Sequence, residues 1–520
     1  MDEPNRPAAA PAPATLYTPL FSPAPPSGPI PPQPKPKRSY EIDGRDRAAL
    51  FLAWAVGVLF AALCMAPTAH CPGLGMAVLV AAWYGTLLWY KGLTGFFTRP
   101  SLLLFAAVAA LTLCFALWSN QWLRWCNLLG LLGLMTVHLF EWSGGGRQSW
   151  CLPSMLAERA LLLLVGLVDR LPAMGSTVQS FRKGKRTVLL ILCGLGLTAP
   201  VALVVAPLLL SADDYFALLS AQAMAQLERL FGQLTIYLLV GLLAAPFLFS
   251  LLYTLRRPAS LPERKHVDIP RADPVIAVVV LVLMDLLYAL FLVVQSAALF
   301  GGAEYLRRVS SISYAEYARS GFFQLVAVAG INLTLVLLAH QLTRREGGLW
   351  RTVQVLSSAM VGMSCVLLLS ACYRMSLYVG TYGLSFKRFL TYWGMGVLAI
   401  LLAAALWKIW RPGFRFFPVA FVVSVAGWLL LNFSNVDYLI ARYNVSFYPY
   451  RQNAVMNLDY LARELSYDAL WALDNLPNGL PSDMDGQALE RLIAQRRLQA
   501  RQDASDWRTW SLSAALAARD

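Results

Sequence analysis

Asp285 stands in VVVLVLMDLLYALFLVVQ, one carboxylate in an apolar run long enough to cross a bilayer. A charge at the centre of a spanning helix costs about 2.5–3.5 kcal/mol on insertion scales, which makes such a residue a functional candidate. On a helical projection Tyr288, Gln295 and Ser296 fall on the same side as Asp285, forming one polar stripe that should face other helices. Gln324 and Asn332 in the next apolar run are the candidate partners. Two chemistries suit the stripe. It is either a proton or ion site, or a protonated Asp that hydrogen-bonds a neighbouring helix as structural glue.

A second group of candidates is a collar of three polar clusters. YLRRVSSISYAEYAR (305–319) carries Arg307, Arg308, Tyr314, Glu316, Tyr317 and Arg319. YVGTYGLSFKR (378–388) carries Tyr382, Lys387 and Arg388. NVDYLIARYN (435–444) carries Asp437, Arg442 and Asn444. Clustered Arg beside tyrosine hydroxyls suits a phosphate, carboxylate or sugar ligand, because guanidinium offers a bidentate fork. The plainer reading is an interfacial belt, since Tyr and Arg favour the headgroup zone.

Other chemistries find little support. Asp213 and Asp214 form an acid pair of the kind that membrane transferases place in loops, but solvated loops carry such pairs commonly. The four histidines, at 70, 138, 266 and 340, have no metal-ligand spacing. No Walker motif, nucleophile elbow or dinucleotide fingerprint occurs, so no metal and no cofactor is expected.

The elements that must position these residues are membrane helices. The chain has 520 residues, 58% hydrophobic and 14% charged. A soluble domain is nearer half apolar and a quarter charged. The excess falls in eleven continuous blocks, near 48–66, 73–91, 101–119, 122–140, 187–210, 233–254, 274–298, 321–342, 352–373, 389–410 and 417–434. Continuous rather than alternating runs predict an all-α polytopic bundle of about eleven transmembrane helices, not a barrel. Residues 1–46 read as a disordered Pro/Ala-rich tail, 47–434 as the membrane domain, and 435–520 as a small helical cap with amphipathic segments. MLAERALLLLVGLVDRL (155–171) has charged ends and reads as an interfacial or re-entrant helix.

The net charge of +14 does not point to nucleic acid, because basic residues mark cytoplasmic loops. With the N-terminus inside, the cytoplasmic segments hold 26 Lys and Arg and the outer loops 8; the remaining 9 are in the C-terminal tail. An odd number of spans then puts the cap on the extracytoplasmic side. Cysteine is sparse. A Cys71–Cys126 disulfide suits an oxidising compartment, whereas buried thiols are the simpler expectation.

The three collar clusters also carry a family resemblance. In this order and spacing they resemble bacterial polytopic membrane proteins catalogued as domain of unknown function 4173, with its 4153 relatives. The first motif of that family is matched by Tyr314, Tyr317, Arg319, Gly321, Phe322, Gln324 and Leu325. The second is matched around Tyr382–Arg388, with Ser385 where Thr is usual. The third is matched by Asn435, Asp437, Ile440, Ala441, Arg442 and Asn444. The likeness covers about 270–475. It implies a bacterial inner-membrane protein with many spans and a polar tail, and it brings no activity with it.

The expectation is therefore a multi-pass protein, transporter-like rather than an enzyme, with an outward-facing polar site above an intramembrane Asp. The alternatives are an envelope enzyme or assembly factor that binds an anionic lipid or lipid-linked glycan, and a scaffold or sensor partner working through its tails. The sequence names no protein partner beyond the bilayer. Single-cysteine probes at Ser310 and Ala454, in a Cys-free background, should both react with an impermeant reagent added from outside. Labelling on opposite sides would break the eleven-span count.

Overall fold

The computed structural model describes residues 40–65, 71–145, 153–181, 214–258, 271–300, 322–345, 347–447, 457–474 and 485–519, with a few single positions between them. The described chain is helical. In order, the helices are α1 (Gly44–Cys64), α2 (Leu74–Lys91), α3 (Arg99–Leu117), α4 (Gln121–Ser143), α5 (Ser154–Val168), α6 (Leu171–Phe181), α7 (Asp214–Arg256), α8 (Pro274–Phe300), α9 (Phe322–Leu342), α10 (Leu349–Tyr382), α11 (Phe386–Trp410), α12 (Phe416–Phe433), α13 (Val436–Phe447), α14 (Leu458–Arg463), α15 (Leu470–Leu473), α16 (Gly486–Ser505) and α17 (Leu512–Ala517). Among the described residues, ten helices are long and apolar enough to cross a membrane. The chain is an all-α, multi-pass membrane protein, as its apolar runs predict. The expected span at 187–210 lies almost wholly outside the described residues.

The first half packs around α1 and α7, which run together for most of their length. Their approach depends on two glycines. A Cβ on Gly57 would sit 2.9 Å from the Gly241 carbonyl oxygen, and one on Gly241 would sit 2.7 Å from the Val58 nitrogen. Close backbone contact of this kind is how membrane helices gain packing energy in a solvent as apolar as their own side chains. The chain before the expected sixth span is helical and continuous with it. α7 carries both, with a break at Gly232, whose φ of +68° suits glycine.

α5 begins beside the end of α4, where Arg159 pairs with Glu141 at 3.2 Å. At its other end the Ser250 hydroxyl donates to the Gly166 carbonyl at 2.7 Å and accepts from the Arg170 amide at 3.1 Å. The inserted hydroxyl replaces a helix hydrogen bond, and α5 gives way to α6 there. Ser154–Gln179 is long and apolar enough to cross a membrane, where the charged ends of 155–171 predict an interfacial or re-entrant helix.

One ion cluster pins the end of this half-bundle where α1 starts and α2 and α7 finish. Asp43 and Asp46 form a reciprocal capping box at the start of α1, with bonds of 2.8 and 2.9 Å. Asp46 is completely buried. It accepts from the Tyr90 hydroxyl at 2.5 Å, Arg256 at 3.1 Å and Arg257 at 3.2 Å. Arg256 also reaches Asp43 at 2.7 Å, and this contact holds the Asp43 carboxyl down to about 2.

The second half packs α8, α9 and α11 about the long α10, and α12 against α11. Its core includes Leu281, Val336, Met360 and Leu402. The halves meet where α12 lies on α3 and α4. There Trp428 donates to Asn127 at 2.8 Å, Asn127 donates to Asn432 at 2.6 Å, and Asn432 returns to the Trp428 carbonyl at 2.9 Å. The short helices α13–α17 form a cap with its own core of Ile440, Leu461, Leu470, Leu492 and Ala514. The cap sits on the end of α4 that is opposite the Asp46 cluster.

Asp46→Ala should destabilise the protein by about 1–3 kcal/mol, because it leaves the buried Tyr90 hydroxyl without its acceptor while Arg256 and Arg257 keep Asp43. The check is the unfolding midpoint in detergent, with Asp43→Ala as the milder, more exposed comparison.

Candidate functional site

α8 is exposed to lipid along Leu283, Leu286, Leu287 and Leu290, while Leu281 and Tyr288 face the bundle. Asp285 lies on the boundary between these faces and turns its carboxylate inward. Both oxygens are buried, and neither has a hydrogen-bond partner among the described residues. Tyr288, one turn on from Asp285, is buried in the core that α8 shares with α9 and α10. Asn332 of α9, 1% exposed, donates to Ser364 of α10 at 2.9 Å, and Ser364 donates to the Met360 carbonyl at 2.7 Å. A carboxyl, a phenol, an amide and a hydroxyl are thus the polar side chains that α8, α9 and α10 bring to this part of the bundle, a row in which Asp285 itself makes no hydrogen bond among the described residues. Gln324 sits exposed, two turns before Asn332, and does not join the row.

The collar divides. Arg307, Arg308, Tyr314, Glu316, Tyr317 and Arg319 lie outside the described residues. The other two clusters do meet at the cap. Asn444 accepts from the Leu384 amide at 2.9 Å and donates to the Leu384 carbonyl at 2.7 Å. Asp437, 2% exposed, accepts from Asn120 at 2.8 Å and from the Ser466 amide at 2.9 Å. Asn435 has φ +47°, a left-handed corner that Asn tolerates, and it turns α12 into α13. Arg388 donates to the Tyr382 carbonyl at 3.1 Å and to that of Gly383, with Tyr378 against its guanidinium at 4.1 Å. Much of both motifs thus joins cap to bundle. Lys387, Arg442 and Tyr382 remain on the surface, Arg442 bonding Tyr438 at 2.9 Å.

Beneath the cap is a buried polar network that has no motif. Arg124, 3% exposed, closes the end of α3 by donating to Phe115 and Trp118, at 3.0 Å each, and to Cys71 at 3.2 Å. Ser119 bonds Ser513 at 2.9 Å and accepts from the Tyr467 amide at 3.2 Å. Tyr467 donates to Asp503 at 2.8 Å and lies under Arg496, 4.9 Å from its ring. Asp468 is 1% exposed and accepts from Ser466 at 3.0 Å. Burial pushes its carboxyl up to about 6, and raises Asp437 as well. Polar residues near loops give little sequence signal of this; the only hint was Arg124 just inside a span.

Elsewhere, His138 is fully buried with both ring nitrogens engaged, by Tyr84 at 2.8 Å and Ser101 at 3.1 Å. His70, His266 and Asp213 lie outside the described residues. Among the described residues no group of His, Cys, Asp and Glu could hold a metal. Cys71 and Cys126 are free thiols, not the disulfide that an oxidising compartment would allow.

A family model described as Domain of unknown function (DUF4153) matches residues 105–476. Of the two related families that the collar motifs resemble, this is the one whose model matches. The matched stretch runs from α3 through the Asp285 row and into the cap. No curated protein and no solved structure matches the chain.

The matched stretch includes Asp468, which gives the cap a pH dependence of known sign. Its folded value of about 6 stands above the ordinary 3.8. The stability it contributes is therefore fully present below about pH 4 and is lost as pH rises through about 6. The unfolding midpoint should fall between about pH 4 and 6, by the equivalent of about 1–3 kcal/mol. Asp468→Asn should flatten that fall, leaving the smaller part due to Asp437.

Proposed function

The chain belongs to the DUF4153 family, and from that premise we propose that it is a transporter-like protein of a bacterial inner membrane, coupled to protons through Asp285. One observation carries the reading: both Asp285 oxygens are buried inside a spanning helix with no hydrogen-bond partner among the described residues. An ionised carboxylate there is costly, so the group takes up a proton, and its release is the event that can be tied to movement. Tyr288, Asn332 and Ser364 are the groups that answer the change.

The distribution of basic residues supports a cytoplasmic N-terminus, and with it an extracytoplasmic cap. A second reading rests on the same side of the molecule. Lys387 and Arg442 are exposed there, and they suit an anionic lipid or glycan at the outer face. In that reading Asp285 is structural.

Purified protein in liposomes loaded with a pH-sensitive dye should move protons under an imposed pH gradient. Asp285→Asn should abolish the movement while keeping the wild-type unfolding midpoint. It should also remove the infrared carbonyl band of a protonated carboxyl. Proton movement equal to wild type in Asp285→Asn would sink the proposal, and loss of movement in Lys387→Ala plus Arg442→Ala alone would favour the second reading.

A further inference from the structure

α1 and α2 leave an apolar groove between them on the lipid-facing surface. Its walls are Leu52, Ala55 and Leu59 of α1, with Ala82, Gly85 and Trp89 of α2. The floor is open at Gly85, where an added Cβ would meet nothing within 4 Å. Small residues make the groove, and nothing in the described chain fills it.

Two measures say what fits. From Ala48 to Leu59 the groove follows twelve residues of α1, about 16 Å from first to last at 1.5 Å per residue. That is half of a hydrocarbon core about 30 Å thick, the depth of one leaflet. The mouth is charged. Arg45, Ala48, Leu52, Ala55 and Leu59 recur at helical spacing on one face of α1, so the arginine stands directly beyond the apolar wall. Arg45 is exposed. The acids on either side of it, Asp43 and Asp46, are held by Arg256 and Arg257. Lys91 is turned away onto the Trp142 ring, 5.0 Å from its centroid.

We infer that the α1–α2 groove is a binding site for one anionic phospholipid, its acyl chain along Ala55 and Gly85 and its phosphate at Arg45. The apolar walls take a chain of any phospholipid, and the arginine selects the charge. The site is independent of the Asp285 row, which lies in the other half of the bundle.

Native mass spectrometry of the detergent-purified full chain tests the site, with phosphatidylglycerol and phosphatidylcholine of equal chain length as probes. The wild type should keep one phosphatidylglycerol under activation that strips phosphatidylcholine. Arg45→Glu should cut that preference about tenfold or more, consistent with reversing a headgroup contact. Gly85→Phe, which fills the floor, should lose both lipids, and Ala48→Phe at the mouth is the second blocking variant if Gly85→Phe fails to fold. Equal retention of the two lipids by the wild type overturns the charge selection. Undiminished phosphatidylglycerol retention by the folded blocking variant overturns the groove.

Discussion

Hydrocarbon offers no hydrogen bonds, so each polar group placed among these helices needs a partner from the chain itself. The Asp46 cluster meets that constraint at one end of the bundle. Its carboxylate sits between two guanidinium groups and a phenol, drawing together the start of α1 and the ends of α2 and α7. At the other end Arg124 and Asp437 answer the carbonyls and amides that helices leave open. Between these two belts the contacts are mainly apolar, with short polar steps such as Asn127 to Asn432 and Asn332 to Ser364. Asp285 departs furthest from the rule: both of its oxygens lack a hydrogen-bond partner among the described residues, where Asn332, His340 and Ser357 each leave one atom.

The same constraint decides which parts of the molecule were legible in its sequence. Spans were, because a bilayer demands long unbroken apolar runs, and such runs need no tertiary information to be seen. Asp285 was, because a lone acid in that setting contradicts its surroundings, and its stripe faces the bundle through Tyr288 as helical geometry requires. The ion cluster was not. Asp46 and Arg256 are 210 residues apart, and each alone looks like an ordinary charge at the rim of a span. The polar groups under the cap were hidden for a related reason: Ser119, Asp468 and Asp503 are residue types that usually meet water, and only the docked cap makes them interior.

Motifs were visible as patterns but their roles were not. Asn435, Asp437 and Asn444 recur in a recognisable set, and the first guess for such a set is a ligand. Their geometry shows a left-handed corner, a buried carboxylate that holds a backbone amide, and an amide clamp on Leu384. Asn444 spends its polar atoms on the main chain, whereas Asp437 also holds the Asn120 side chain and keeps one oxygen without a partner among the described residues. Arg442 and Lys387, whose side chains reach the surface, are the ones in this region with chemistry to spare.

The cap is stitched to the beginning of the membrane domain by the backbone itself: Gly73 and Leu74 donate to the carbonyls of Arg508 and Trp510, at 2.7 and 2.8 Å, and Ser119 bonds Ser513 across 394 residues. At a synthesis rate of 5–20 residues per second, the ribosome takes roughly 20–80 s to travel between those two serines. Throughout that interval the α1–α4 hairpins are already in the bilayer with the ends of α3 and α4 uncovered. Their final packing therefore waits until the cap has been made. A nascent chain halted anywhere before the cap would present Ser119 and Asn120 without their partners, which gives a quality-control protease a simple way to tell an unfinished molecule from a finished one.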